Sequence, residues 1–162
     1  MRMQDRPVSE LKYAVEELLA SYVECIDDDR LEEWPEHFTP ECVYKILPRE
    51  NADRGLPLAT IFCDSRGMLA DRVISLRNAN IYAVHYYRHL LSNVRIKSIE
   101  NGRIKVQSNF VVFQTKQDGA TSVFSAGKYL DTIVEEAGAL KFSEKIAVID
   151  TYRIDTLMVR PI

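Results

Sequence analysis

RHLLSNVRIKSIENGRIKVQ, residues 88–107, decides how this chain folds. Leu90, Ser92, Val94, Ile96 and Ser98 alternate with Leu91, Asn93, Arg95 and Lys97. A repeat of two sends successive side chains to opposite faces of a strand. Asn101-Gly102 then supplies the dipeptide best suited to a two-residue hairpin, because both central positions of its turn need positive φ. Ile104 to Thr115 is the expected return strand and Asp118-Gly119 the next turn. Ser122 to Ile133 reads as a third long strand, Glu135 to Ala139 as a loop, and Phe142 to Ile149 as a fourth strand. Strands this long exceed the usual length of about five or six residues, and a long antiparallel meander must twist and coil. Gly127, inside the third strand, is the expected place for a bulge or bend.

Upstream the hydrophobic period is that of a helix. After Pro7 and Ser9, the expected start and N-cap, Leu11, Val15, Leu18, Leu19, Tyr22 and Ile26 fall on one stripe that stops at Asp27-Asp28-Asp29. A short turn from Leu31 to Phe38 puts Leu31, Trp34 and Phe38 on one side and ends before Pro40, so it is expected to cover the first helix. Cys42 to Leu47 and Leu58 to Cys63 have strand character, and the polar Pro48-to-Gly55 segment between them reads as a loop. Ser65 to Asn78 returns to helix, with Asp64 as its expected N-cap and Met68, Leu69, Val73 and Leu76 on one buried face.

Helices first and a sheet afterwards give the α+β class: N-terminal helices packed in a strongly curved antiparallel sheet. Such a cone is the shape shared by SnoaL-like, nuclear-transport-factor-like and cystatin-like folds, and shape alone assigns no function. With 162 residues, 46% hydrophobic and 28% charged, residues 1–162 are expected to form a single domain with its own core.

Composition narrows the partners. A net charge of -3 without a long basic run argues against a nucleic-acid or anionic-membrane surface, since phosphate binding needs clustered Lys and Arg. The first residues, Met1 to Pro7, lack the apolar stretch of a secretory signal, and no apolar run approaches the roughly 20 residues that span a bilayer. The expected location is cytoplasmic. Cys25, Cys42 and Cys63, widely spaced among apolar neighbours, read as reduced, buried thiols.

Chemistry has few candidates. His85 and His89 stand four apart, a spacing that grips a metal on a helix. On a strand they lie roughly 13 Å apart at about 3.3 Å per residue, too far to share an ion. His37 reads as surface or capping polarity. No cysteine has a His two or three positions later, so a Rieske cluster has no ligand pairs here. A facial triad of two His and a carboxylate has only His37, His85 and His89 to draw on. Asp27, Asp64, Asp71, His85 or His89 could act as the general base of a cone pocket, against the commoner role of carboxylates as helix caps or solvated charges. Arg72, Arg77 and Arg88 could grip a carboxylate substrate or, more commonly, pair within the protein or with a partner. No nucleophile elbow, phosphate-binding glycine loop or dinucleotide fingerprint is present.

One resemblance covers nearly the whole chain. Asp64, Met68-Leu69, Asp71, Arg72 and Arg77, followed by Arg88-His89-Leu90 and Ser92-Asn93-Val94, resemble the middle of the small (beta) subunits of Rieske-type aromatic-ring-hydroxylating dioxygenases. Asp27, Trp34, Phe38-Thr39 and Cys42-Val43-Tyr44 before them, and Gly127, Tyr129, Asp131 and Asp150 after them, fall in the same order. Ala79-Asn80-Ile81-Tyr82 and the tail Asp155-Thr156-Leu157 are most similar to the salicylate, terephthalate and anthranilate branch.

The resemblance implies a chain with no catalytic, cofactor-binding or metal residue of its own. It implies a Rieske-type large (alpha) subunit that holds the [2Fe-2S] cluster and a mononuclear non-haem iron, and a trimer of this chain within an α3β3 hetero-hexamer. It further implies that Trp34, Tyr82, Tyr86, Arg88, His89, Leu90, Asn93 and Arg95 lie at or near subunit contacts. Eight Tyr and six Phe are compatible with such an interface. The rival readings are a stand-alone SnoaL-like dehydratase or isomerase and a ligand-binding cone without chemistry.

Overall fold

The structure, a computed structural model, describes residues 6–151 and 158–162. Helix α1 spans Val8–Asp27 and buries Leu11, Val15, Leu19, Tyr22, Cys25 and Ile26. Leu18 of the expected stripe is only half-buried. Pro7, not Ser9, stands at the N-cap, where its lack of an N–H costs nothing and its fixed φ suits the helix entrance. The far end is a Schellman closure: Asp29 takes φ 60° while Arg30 N–H donates to Cys25 O (2.8 Å) and Asp29 N–H to Ile26 O (3.1 Å).

A 3₁₀ helix over Leu31–His37 buries Leu31, Trp34 and Pro35. Strand β1 (Phe38–Pro48) follows directly, so Phe38 opens the strand instead of closing the helix. The expected Pro48-to-Gly55 loop contains a short helix α2 over Arg49–Asp53, built on Pro48 and two exposed i,i+4 pairs, Arg49 with Asp53 and Glu50 with Arg54. β2 covers only Ile61–Cys63, leaving Leu58 to Thr60 outside the strand. α3 (Arg66–Asn78) is capped by Ser65, whose Oγ accepts from Met68 N–H at 3.2 Å; Asp64 is not the cap. Met68, assigned to the buried face, is exposed, and Leu69, Val73 and Leu76 make that face alone.

The second half is the meander. β3 (His85–Glu100), β4 (Arg103–Lys116), β5 (Thr121–Glu136) and β6 (Ala139–Ile149) are longer at their ends than the alternation suggests. Asn101-Gly102 turns at φ 51° and 74°, and Ala137-Gly138 makes a similar turn at 52° and 81°. The sheet order is β2-β1-β6-β5-β4-β3, curved and open. All pairs are antiparallel except β1 with β6, which is parallel.

Gly127 sits at no bulge. The register shifts in its strand lie elsewhere, facing Val112/Phe113 and at Thr132/Ile133. A Cβ on Gly127 would stand 1.9 Å from Val148 O, so glycine is needed for the close approach of β6.

Helix α1 and the inner sheet face enclose an aromatic core. Trp34 meets Tyr44 and Phe38 edge-on at 5.1 and 5.9 Å, and Phe110 stacks on Tyr129 at 4.4 Å. Within it lies a fully buried ion pair, Lys145 Nζ to Asp131 at 3.1 Å, from residues directly opposed on β5 and β6. The ammonium also sits 3.6 Å from the Tyr129 ring centre and 4.5 Å from those of Tyr22 and Phe142. Burial pushes Asp131 up to about 6 and Lys145 down, their mutual attraction offsetting only part of the desolvation.

Candidate subunit-contact face and the buried cluster behind it

β3 is the last strand of the sheet and, among the described residues, its only ladder partner is β4; its other edge carries no strand, although Asp27 of α1 takes the His89 N–H there. Its pleat sends His85, Tyr87 and His89 inward and Tyr86, Arg88 and Leu90 outward. Tyr86 is 61% exposed and Leu90 56%. Directly opposed residues share a sheet face, and here Arg88 faces Phe113 and Leu90 faces Val111 on β4. Phe113 faces Val123 of β5, itself exposed. The outer surface is therefore a patch of Tyr86, Leu90, Val111, Phe113 and Val123 with the Arg88 guanidinium among them. An apolar cleft of about 430 Å³ opens beside it, lined by Tyr82, Val84, His85 and Lys116 among others.

Asn93 breaks the simple alternation. It takes φ 54° at a register shift between Ser92 and Arg95, and beyond it Val94 and Ile96 turn inward. The inner row thus runs His85, Tyr87, His89, Leu91, then Val94 and Ile96, not along even numbers throughout. The bulge leaves both Asn93 and Arg95 exposed.

Two residues expected at or near subunit contacts stand behind the exposed face and not on it. Trp34 is wholly buried in this chain's own core, and the His89 side chain is buried against Asp27. Neither offers side-chain surface to a partner. Tyr82 is half-buried, its ring 5.5 Å from that of His85.

Behind β3 the structure joins side chains that the sequence kept separate. The Asp27 carboxylate accepts from His89 N–H at 2.8 Å and from His89 Nδ1 at 2.6 Å, so both its oxygens are held by one residue. His85 Nδ1 donates to Ala83 O at 2.8 Å, and burial pushes its pKa down. The Tyr87 ring stands between the two imidazoles, 5.2 Å from one and 6.2 Å from the other, and separates them as metal ligands. Asp64 and Asp71 are exposed and take no part.

Asp29 is the joint that sequence reading missed. Its left-handed backbone turns the carboxylate toward Arg77 (2.9 Å) and Arg160 (3.4 Å). Arg77 also holds Glu32 at 2.8 Å and keeps that carboxyl below its ordinary range. Arg77 thus pairs within its own chain, the commoner of the two roles open to it. His37 is half-buried and bonds Ser21 Oγ at 3.0 Å and Glu33 O at 3.1 Å.

The residues do not fit an iron cluster or a mononuclear metal. Cys25, Cys42 and Cys63 are buried, and desolvation raises the first to about 12 and the second to about 11, away from the thiolate a metal binds. Among the described residues no group of three His, Cys, Asp or Glu side chains could hold a metal ion. Among them, too, no helix is long and apolar enough to cross a membrane.

The model of the ring hydroxylating beta subunit family matches residues 22–156. The chain belongs to this family. The beta subunit is 48% identical over 141 residues to the anthranilate 1,2-dioxygenase small subunit of Burkholderia cepacia, covering 87% of this chain and 88% of that one. It is 40% identical to a terephthalate 1,2-dioxygenase terminal oxygenase beta subunit of Comamonas, covering 88% and 93%. A crystal structure from Novosphingobium aromaticivorans, assigned as an aromatic-ring-hydroxylating dioxygenase beta subunit, superposes with a TM-score of 0.88 at 42% identity, covering 96% and 100%. The beta subunit is thus part of an oxidoreductase complex in which a large oxygenase subunit does the catalytic work. The segment Ala79 to Tyr82 lies within the matched region, whereas Asp155-Thr156-Leu157 lies outside the described residues.

Proposed function

We propose that this beta subunit is a non-catalytic assembly and stabilising component of a terminal oxygenase that acts on aromatic carboxylates of the anthranilate or terephthalate kind. Its large partner holds the Rieske [2Fe-2S] cluster and the mononuclear iron, three copies of each chain form an α3β3 hexamer, and the complex is cytoplasmic. Residues 1–162 act as one domain. The observation that carries the reading is the 48% identity to the anthranilate 1,2-dioxygenase small subunit over 87% of the chain.

The outer face of β3 is the proposed contact. An open edge with Tyr86 and Leu90 exposed around Arg88 has the aromatic, apolar and Arg composition enriched at interface centres. Tyr82, Asn93 and Arg95 flank it, and Trp34 and His89 support it from inside. Gentle purification of the tagged chain from its native cells tests the assembly. A brown preparation with an equal amount of a larger iron–sulfur chain is the expected result; a colourless homo-oligomer without a partner would overturn it.

A further inference from the structure

The last residues of the chain run back into the cone. Ile162 is wholly buried and its main-chain oxygen accepts from two phenols at once, Tyr22 Oη at 2.8 Å and Tyr44 Oη at 3.0 Å, while its N–H donates to Tyr44 Oη at 3.1 Å. Arg160, 7% exposed, reaches Asp29 and lies with its guanidinium carbon 6.0 Å from the Tyr87 ring centre. Four buried polar atoms in this neighbourhood, His85 Nε2, Tyr87 Oη, His89 Nε2 and Arg160 Nε, have no hydrogen-bond partner among the described residues. Buried groups are normally satisfied, and several together mark a place where the closed arrangement is incomplete. The segment is tied down by the three Ile162 bonds and the Arg160 ion pair, and it belongs to no strand ladder.

We propose that Arg160-Pro161-Ile162 is a displaceable plug in a small-molecule site of the cone, and that the site takes a planar apolar compound bearing one acceptor oxygen, such as a phenol or an aromatic carboxylate. The plug itself shows the recognition chemistry. Two phenolic donors converge on a single oxygen, the arrangement that binds a carbonyl, carboxylate or phenolate oxygen in a dry site. Burial raises the pKa of Tyr22 and Tyr44, so both remain donors. Around that oxygen stand the rings of Phe38, Trp34 and Phe142, which contact Tyr22 or Tyr44 at 5.1–6.1 Å and would receive an aromatic body. Tyr87 Oη and the imidazoles behind it are left to bond a second polar substituent. This site uses the inner face and is separate from the subunit contact proposed on the outer one.

A ligand competing with the plug binds with an affinity reduced by the open fraction, so weakening the plug should tighten binding. The probe is 4-nitrophenol, whose absorbance shifts when its oxygen is hydrogen-bonded or ionised, titrated into the full chain and into an Arg160→Ala/Ile162→Gly variant checked for fold by circular dichroism. The variant should bind at least about tenfold more tightly, and adding Tyr44→Phe should abolish that gain. A folded variant that binds no better than the parent, or a gain indifferent to Tyr44→Phe, overturns the proposal. If the variant does not fold, hydrogen exchange on the unmodified chain decides. Loss of protection of the Ile162 amide on saturation with 4-nitrophenol supports the plug, and unchanged protection overturns it.

Discussion

Tyr86, Arg88 and Leu90 stand one step along the strand from His85, Tyr87 and His89, yet the two sets meet different surroundings. The inner set packs within this chain: Asp27 holds His89, the Tyr87 ring lies 5.0 Å from that of Phe124, and His85 bonds Ala83. The outer set meets solvent on a strand whose second edge is unpaired in the sheet. The packing of the inner residues can therefore be tested through the stability of the isolated chain, and the proposed contact role of the outer ones through assembly. The pleat divides this stretch into a buried row and an exposed row.

The sharpest test removes an inner residue. Asp27→Ala strips the buried His89 of both its bonds to that carboxylate, and leaving two buried donors unsatisfied costs about 1–3 kcal/mol each. Urea denaturation of the isolated chain should show this loss; a change below about 1 kcal/mol would mean that the inner row is not what holds β3 to α1.

Gly127→Ala comes next. The new methyl would overlap Val148 O, and overpacking of that kind costs about 1–3 kcal/mol because β6 must move. A thermal midpoint unchanged from the parent would contradict the close approach.

The buried pair gives a pH signature. Asp131, raised from its ordinary 3.8 to about 6, binds a proton more tightly folded than unfolded. Its contribution to stability is therefore complete below about 4 and is lost as pH rises through 6, opposite in sign to an ordinary paired carboxylate. An Asp131→Leu/Lys145→Met chain should lose this falling component, so its stability should rise more steeply than the parent's from pH 4 to 6. Parallel profiles for the two chains would refute the shift.

On the outer row the smallest effect on the chain should accompany the largest on assembly. Arg88→Ala with Leu90→Ser should change stability by no more than about 0.5 kcal/mol, while gel filtration with the large subunit should show dissociation. Loss of fold, or undisturbed assembly, would each erase the distinction between the rows.

Much of this was readable beforehand because local chemistry determined it. The α1 stripe, the Asn101-Gly102 turn and the Asp118-Gly119 turn appear where their residues place them, since periodicity and positive φ are local demands. Asn93 was not readable: a bulge adds one residue to an alternation that continues on both sides, and the core alone decides which row turns inward. Arg49 to Asp53 hid a helix among turn-forming residues because its support comes from ion pairs across one turn. The burial of Trp34 was not legible, because a bulky aromatic fits a core and an interface equally well. Arg160 meets Asp29, and Ile162 meets Tyr22 and Tyr44, across 118 or more positions of chain, a distance no local pattern encodes.

The parallel pairing of β1 with β6 also sets an order in time. Apart from three-residue β2, β1 has among the described residues no ladder partner but β6, whose residues lie about a hundred positions later. On the ribosome, α1, α3 and β1 emerge with their apolar faces uncovered, and the wall that closes them waits until residues 139–149 are free of the exit tunnel. Closing so long a loop is slow compared with forming the β3–β4–β5 hairpins. The hairpins should form first, and the nascent N-terminal half should be the part that chaperones shield during synthesis.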